Sequence, residues 1–115
     1  MLRSIRIQSD ALSDMIDIAY QIAEDSLAAS RRFTAAAEEA YEMLAEMPGV
    51  GASREFNNPR LSGLRMFPVQ GFRNYLIFYQ ATDVEITIIR VLHGARDIES
   101  LFSTGETEDD EPPET

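Results

Sequence analysis

The chain opens with alternation. Between Leu2 and Gln8, Ile5 and Ile7 share one face and Arg6 lies between them, which predicts a strand. Ser9 and Asp10 follow, both residue types that cap helix N-termini. Leu12, Met15, Ile16, Ala19, Ile22 and Ala23 then recur at helical spacing, with Asp14, Asp17, Gln21 and Glu24 on the opposite face. Phe33, Ala36, Ala37, Ala40, Tyr41, Leu44 and Met47 predict a second helix, whose alanines allow close approach of another element and which Pro48-Gly49 ends. A short link around Asp25 to Ala28 makes the two an antiparallel helical hairpin.

Gly49 to Arg60 is rich in turn formers and reads as a loop, with Ser53 to Pro59 its polar part. Beyond it the period changes to two. Leu61 to Gln70, Asn74 to Thr82 and Val84 to Leu92 read as strands joined by connections short enough for an antiparallel meander. The last of these is apolar on both faces around Ile88, Ile89 and Val91. Pro68 has no backbone donor, so its strand is an edge strand or is bulged there. Asp97 to Phe102 predicts a short terminal helix, and Ser103 to Thr115 a disordered tail without hydrophobic periodicity. The order β-α-α-β-β-β(-α) gives an α+β class: a helical hairpin on one face of a mainly antiparallel four-stranded sheet. Residues 1–102 are expected to form one domain and residues 103–115 the tail.

Composition narrows the picture. With 115 residues and 44% hydrophobic content, the chain has material for one core. No apolar run approaches the ~18 residues of a membrane span, and the first ten residues lack a signal-peptide core, so a cytoplasmic protein is expected. There are no cysteines, hence no disulfides or thiolate zinc sites. The net charge of −10 is unevenly spread: the last ten residues hold six acids and no base, leaving 14 acids against 10 bases elsewhere. Long-range attraction to a nucleic-acid backbone is therefore not expected. Every base is an arginine, whose planar fork suits carboxylate partners as well as ordinary surface positions.

Four stretches resemble ParE-type toxins of the RelE/ParE toxin–antitoxin superfamily. GLRMFPVQGFRNYLIFYQ (residues 63–80) is similar to that group's central strands, and IIRVLHGARDIESLF (residues 88–102) to its C-terminal signature. ALSDMIDIAYQIA and ASRRFTAAAEEAYEMLAEMPGVG are similar to its helical hairpin and the loop that follows. The resemblance implies a toxin neutralised by a ParD-like antitoxin in a hetero-oligomer. ParE members are described as poisons of DNA gyrase; RelE members cut messenger RNA on the ribosome. One fold hosts both, so the site must decide.

RNA cleavage requires a base for the ribose 2′-hydroxyl, an acid for the leaving oxygen, and cations for the pentavalent phosphate. By resemblance, the RNA-cleaving branch supplies these from lysines, strand arginines and a C-terminal tyrosine. This chain has no lysine, carries Leu76 at the position of a strand arginine, and Phe102 at that of the tyrosine; Arg96 alone falls on a strand-end arginine. No catalytic residue, metal site or cofactor is therefore assigned. Arg65, Arg73, Arg90 and Arg96, with His93 and Phe102, are candidate partner-binding residues; the arginines also fit ordinary surface or salt-bridge positions. His93 stands where Gly94 and Ala95 imply a tight turn, and its imidazole can satisfy backbone groups there or meet a partner. Tyr75, Phe78 and Tyr79 read as sheet core rather than a base-stacking platform. The acidic tail is a solubilising extension or a weak internal competitor for the arginines. Three functions remain open: gyrase inhibition without catalysis, ribosome-dependent RNA cleavage, and antitoxin binding without toxicity.

Overall fold

Apolar residues on both faces of the last strand place it inside the sheet rather than at its edge. In the computed structural model, which describes residues 2–53, 55, 58–94 and 96–97, strand β1 (Ser4–Ile7) leads into helices α1 (Ser9–Asp25) and α2 (Leu27–Glu46). Strands β2 (Ala52–Ser53), β3 (Arg65–Val69), β4 (Phe72–Ala81) and β5 (Glu85–His93) follow. The sheet order is β1-β5-β4-β3-β2, with β1 parallel to β5 and every other pair antiparallel. The sheet thus has five strands rather than four, because the two residues of β2 pair with Met66 and Arg65.

The helical hairpin covers one face. Phe33, Ala37, Ala40 and Leu44 of α2 are buried with Ile77 and Tyr79 of β4 and Ile86, Ile88 and Val91 of β5. Each large side chain removed from water there contributes roughly 1.5–3 kcal/mol. The two helices are separated by Ser26 alone, whose hydroxyl accepts from the Ala29 N–H at 3.0 Å. Buried Ser30 donates to the Ala19 carbonyl at 2.6 Å and fastens the hairpin.

The opposite face carries a second apolar cluster of Leu61, Leu64, Phe78, Ile89 and Leu92. Here the predicted strand from Leu61 is corrected. Residues 59–61 form a 3-10 turn, with Asn58 accepting from the Arg60 N–H at 2.9 Å, and Gly63 adopts φ +75°. That turn chemistry folds Leu61 and Leu64 onto the sheet before the strand starts at Arg65.

Ser9 and Asp10 do not cap α1 as expected; they lie within it. Gln8 still donates its N–H to the Ile88 carbonyl at 3.0 Å, so the chain passes from sheet to helix with no spare residue for a cap. Pro68 sits at a register shift against β4 and beyond the reach of β2, matching the edge-or-bulge expectation. A second shift leaves Ile89 as an extra residue in β5, since Tyr79 faces Ile88 and Phe78 faces Arg90. The predicted terminal helix beyond Asp97 and the tail lie outside the described residues.

Candidate partner-binding surfaces

The arginines of the sheet half do not converge. Arg90 donates through Nε and Nη2 to the two carboxylate oxygens of Asp14 at 2.8 and 3.0 Å. Asp14 also accepts from the Val91 N–H at 3.0 Å, so this α1 side chain closes the edge of β5 past the end of β1. The bond to Asp14 is the main cause holding the Arg90 guanidinium above its ordinary pKa, with burial opposing it. Arg65 donates to the Gly51 carbonyl at 2.7 Å. Arg73 on β4 and Arg96 after β5 are exposed, and Phe102 lies outside the described residues.

Gly51 is held from both sides. Its N–H donates to the Tyr79 hydroxyl at 2.9 Å, and that hydroxyl donates to the Pro48 carbonyl at 2.7 Å. A Cβ on Gly51 would lie 2.8 Å from Tyr79 Cε1 and 2.9 Å from the Met66 carbonyl oxygen, so only glycine permits the approach. Burial pushes the Tyr79 phenol up, partly offset by the Gly51 hydrogen bond and Arg65. Tyr79 and Phe78 are fully buried, as expected of sheet core.

His93 closes an aromatic run. Its ring meets Tyr75 edge-to-face at 5.2 Å, and Phe33 contacts both Tyr75 and Phe72 the same way at 5.4 and 5.3 Å. The turn expected after it is present. The His93 carbonyl accepts from the N–H groups of Arg96 and Asp97, and its own N–H donates to the Asp97 carboxylate at 3.4 Å.

The helical hairpin leaves part of its apolar arc uncovered. Leu12, Ile16 and Tyr20 of α1 are 53%, 62% and 71% exposed, a stripe with no sheet beneath it. Beside it, Ile7, Leu12, Met15, Ile16, Thr34, Glu38 and Tyr41 line a groove of about 260 Å³ between α1 and α2. Tyr41 is 5% exposed, and its hydroxyl has no hydrogen-bond partner among the described residues. Burial first, then Glu38 and Asp14, push its phenol up to about 12. Charge is segregated around this surface. Asp10, Asp14, Asp17, Glu24 and Asp25 on α1 and Glu38, Glu39, Glu42 and Glu46 on α2 face only Arg31 and Arg32 within the hairpin. The helical period located the apolar arc but not its division into a buried and an exposed half. The signal available in the sequence was the arc's width: Ala11, Leu12, Met15, Ile16, Ile18 and Ile22 span more than one packing face.

Among the described residues, no group of three or more metal-ligating side chains comes together, and no helix is long and apolar enough to cross a membrane. Comparison with curated proteins returns no significant match. A solved structure described as "Chromosomal ParDE TA system from P. aeruginosa" superimposes with a TM-score of 0.63, covering 80% of this chain and 96% of that one. At 17% identity, it shows a shared fold. The family described as "ParE toxin of type II toxin-antitoxin system, parDE" matches residues 5–98, spanning both helices and the sheet from β1 to β5. The chain belongs to the ParE toxin family.

Proposed function

We propose that this protein is the toxin of a type II toxin–antitoxin pair, that it inhibits DNA gyrase by protein–protein contact without catalysis, and that a ParD-like antitoxin neutralises it. Family membership supports the toxin–antitoxin setting. The observation that carries the choice of branch is the environment of Leu76. It packs against the apolar cluster of Phe78 and Leu92, and the backbone of Gly94 closes over it. Hydrocarbon therefore fills the position at which an RNA-cleaving relative is expected to place a guanidinium. Arg90 and Arg65 are directed to Asp14 and to the Gly51 carbonyl, away from any common point where a phosphate would be gripped. Cleavage without an assembled acid, base and cation set lacks the terms that lower its barrier.

The purified protein is expected to inhibit gyrase supercoiling and to leave translating messenger RNA intact by primer extension. Cuts at ribosomal A sites would reverse the choice of branch. A second reading, a relative that keeps antitoxin binding but is not toxic, is favoured by the same internal use of Arg65 and Arg90. Growth arrest on expression without a partner would exclude it.

A further inference from the structure

One end of the fold is basic although the chain holds 20 acids against 10 bases. Arg32 borders a recess of about 440 Å³ between α2 and the β3–β4 turn, lined also by Gln70, Gly71 and Phe72, with Glu39 as the acid among them. Phe33, next to Arg32, meets Phe72 and Tyr75 edge-to-face, and Tyr75 meets His93 the same way. The Gly94 N–H donates to the Asn74 carbonyl at 2.7 Å. Arg73, one residue before Asn74, and Arg96, two residues after Gly94, therefore lie at the same end as Arg32, where the chain leaves β5. All three are exposed, and none forms an ion pair among the described residues.

We propose that residues 106–111 of this chain, ETEDDE, dock on this basic end and act there as an internal competitor for acidic segments of partners. The segment carries five acids and no base, and each carboxylate can accept paired hydrogen bonds from a guanidinium fork. Eight residues, 98–105, separate it from Asp97, a link that reaches about 30 Å when extended. One exposed ion pair is weak, but several acids tethered this close meet the arginines at a local concentration on the order of millimolar. The acidic faces of α1 and α2 repel the segment, which leaves Arg32, Arg73 and Arg96 as its seat. The same segment from a second copy would first have to bring together two chains of net charge −10, a cost the tether avoids. The inference stands independently of the target and antitoxin proposed above.

The test uses the full chain, which has no cysteine, so Thr107→Cys carries a single nitroxide label. At low salt the label should broaden the amide signals of residues 31–33 and 71–74, and the effect should fade at high salt as the charges are screened. Arg32→Glu combined with Arg73→Glu should remove the broadening, whereas Arg6→Glu on β1 should not. Neutralising the segment by Glu108→Gln, Asp109→Asn, Asp110→Asn and Glu111→Gln should remove it too, with the arginines untouched. Circular dichroism of each variant confirms folding. A hexaglutamate peptide then reads the competition: a chain ending at Ser103 should bind it about three- to tenfold more tightly than the full chain at low salt, and equally at high salt. Broadening that survives either set of substitutions, broadening centred on α1, or equal hexaglutamate affinity for the two chains at low salt would overturn the proposal.

Discussion

Replacing Asp14 with alanine tests how α1 is held against the sheet. The substitution removes three acceptor contacts at once: Arg90 Nε at 2.8 Å, Arg90 Nη2 at 3.0 Å and the Val91 N–H at 3.0 Å. With side chains 18% and 14% exposed, the Arg90–Asp14 pair lies between two regimes. Exposed pairs contribute at most about 1 kcal/mol, whereas breaking a buried pair costs about 3–5 kcal/mol because a charge is left stranded. About 2 kcal/mol is reasonable for the pair, and losing the edge acceptor of Val91 adds about 1 kcal/mol. Asp14→Ala should therefore cost about 3 kcal/mol in urea denaturation and lower Tm by more than about 10 °C. In an Arg90→Met background the same change should cost only about 1 kcal/mol, since the Val91 contact alone remains to be lost. A loss below about 0.5 kcal/mol in the single variant, or equal losses in both backgrounds, would refute the account.

Tyr41→Phe should stabilise the protein by about 1 kcal/mol in urea denaturation, because it deletes a buried hydroxyl that has no partner among the described residues. The same hydroxyl predicts alkaline sensitivity. The folded phenol titrates at about 12 against 10.0 unfolded, so it costs no stability by ionisation below pH 10, and stability falls as pH rises from 10 towards 12, where the unfolded chain ionises and the buried phenol does not. That amounts to about 3 kcal/mol, and the loss should shrink in Tyr41→Phe when unfolding is followed from pH 9 to 12. Gly51→Ala should cost roughly 2–3 kcal/mol in chemical denaturation, because its Cβ would meet the Met66 carbonyl and the Tyr79 ring. Gly94→Ala, whose Cβ meets the end of the Leu76 side chain at 2.8 Å but no backbone atom closer than 3.6 Å, should cost less than half as much.

Much of this architecture was legible from periodicity. The helical hairpin, the meander, the doubly apolar last strand and the irregularity at Pro68 follow from spacing and from one missing N–H. The errors share a cause: local pattern cannot see where a neighbouring strand ends. β2 escaped because two paired residues leave no period to read. Ser9 and Asp10 fit a cap by type, yet Gln8 is committed to Ile88 and takes that position. Asp14 fitted a solvated helix face but is turned to the sheet, because β1 stops at Ile7 and the edge of β5 beyond it must be satisfied. Arg90 could not be divided between partner and fold from sequence, since its carboxylate lies 76 residues away.

The same short first strand explains why the apolar stripe is exposed. β1 pairs with β5 only as far as Ile88, and α1 then runs beside the uncovered edge instead of over the middle of the sheet. α2 lies over β4 and β5 and buries seven of its residues, while α1 buries only Ala11 and Ile18. An apolar arc as wide as that of α1 cannot be hidden by so peripheral a seat. Asp14 fixes the seat through Arg90 and Val91, so Leu12, Ile16 and Tyr20 are held outward by a bonded helix and need not be exposed by unfolding. A partner segment meeting that stripe would therefore find it already ordered and avoid the entropic cost of arranging it. This links the core to that surface: releasing Asp14 should loosen α1 and with it the order of the stripe, although Asp14 itself is committed inside the fold.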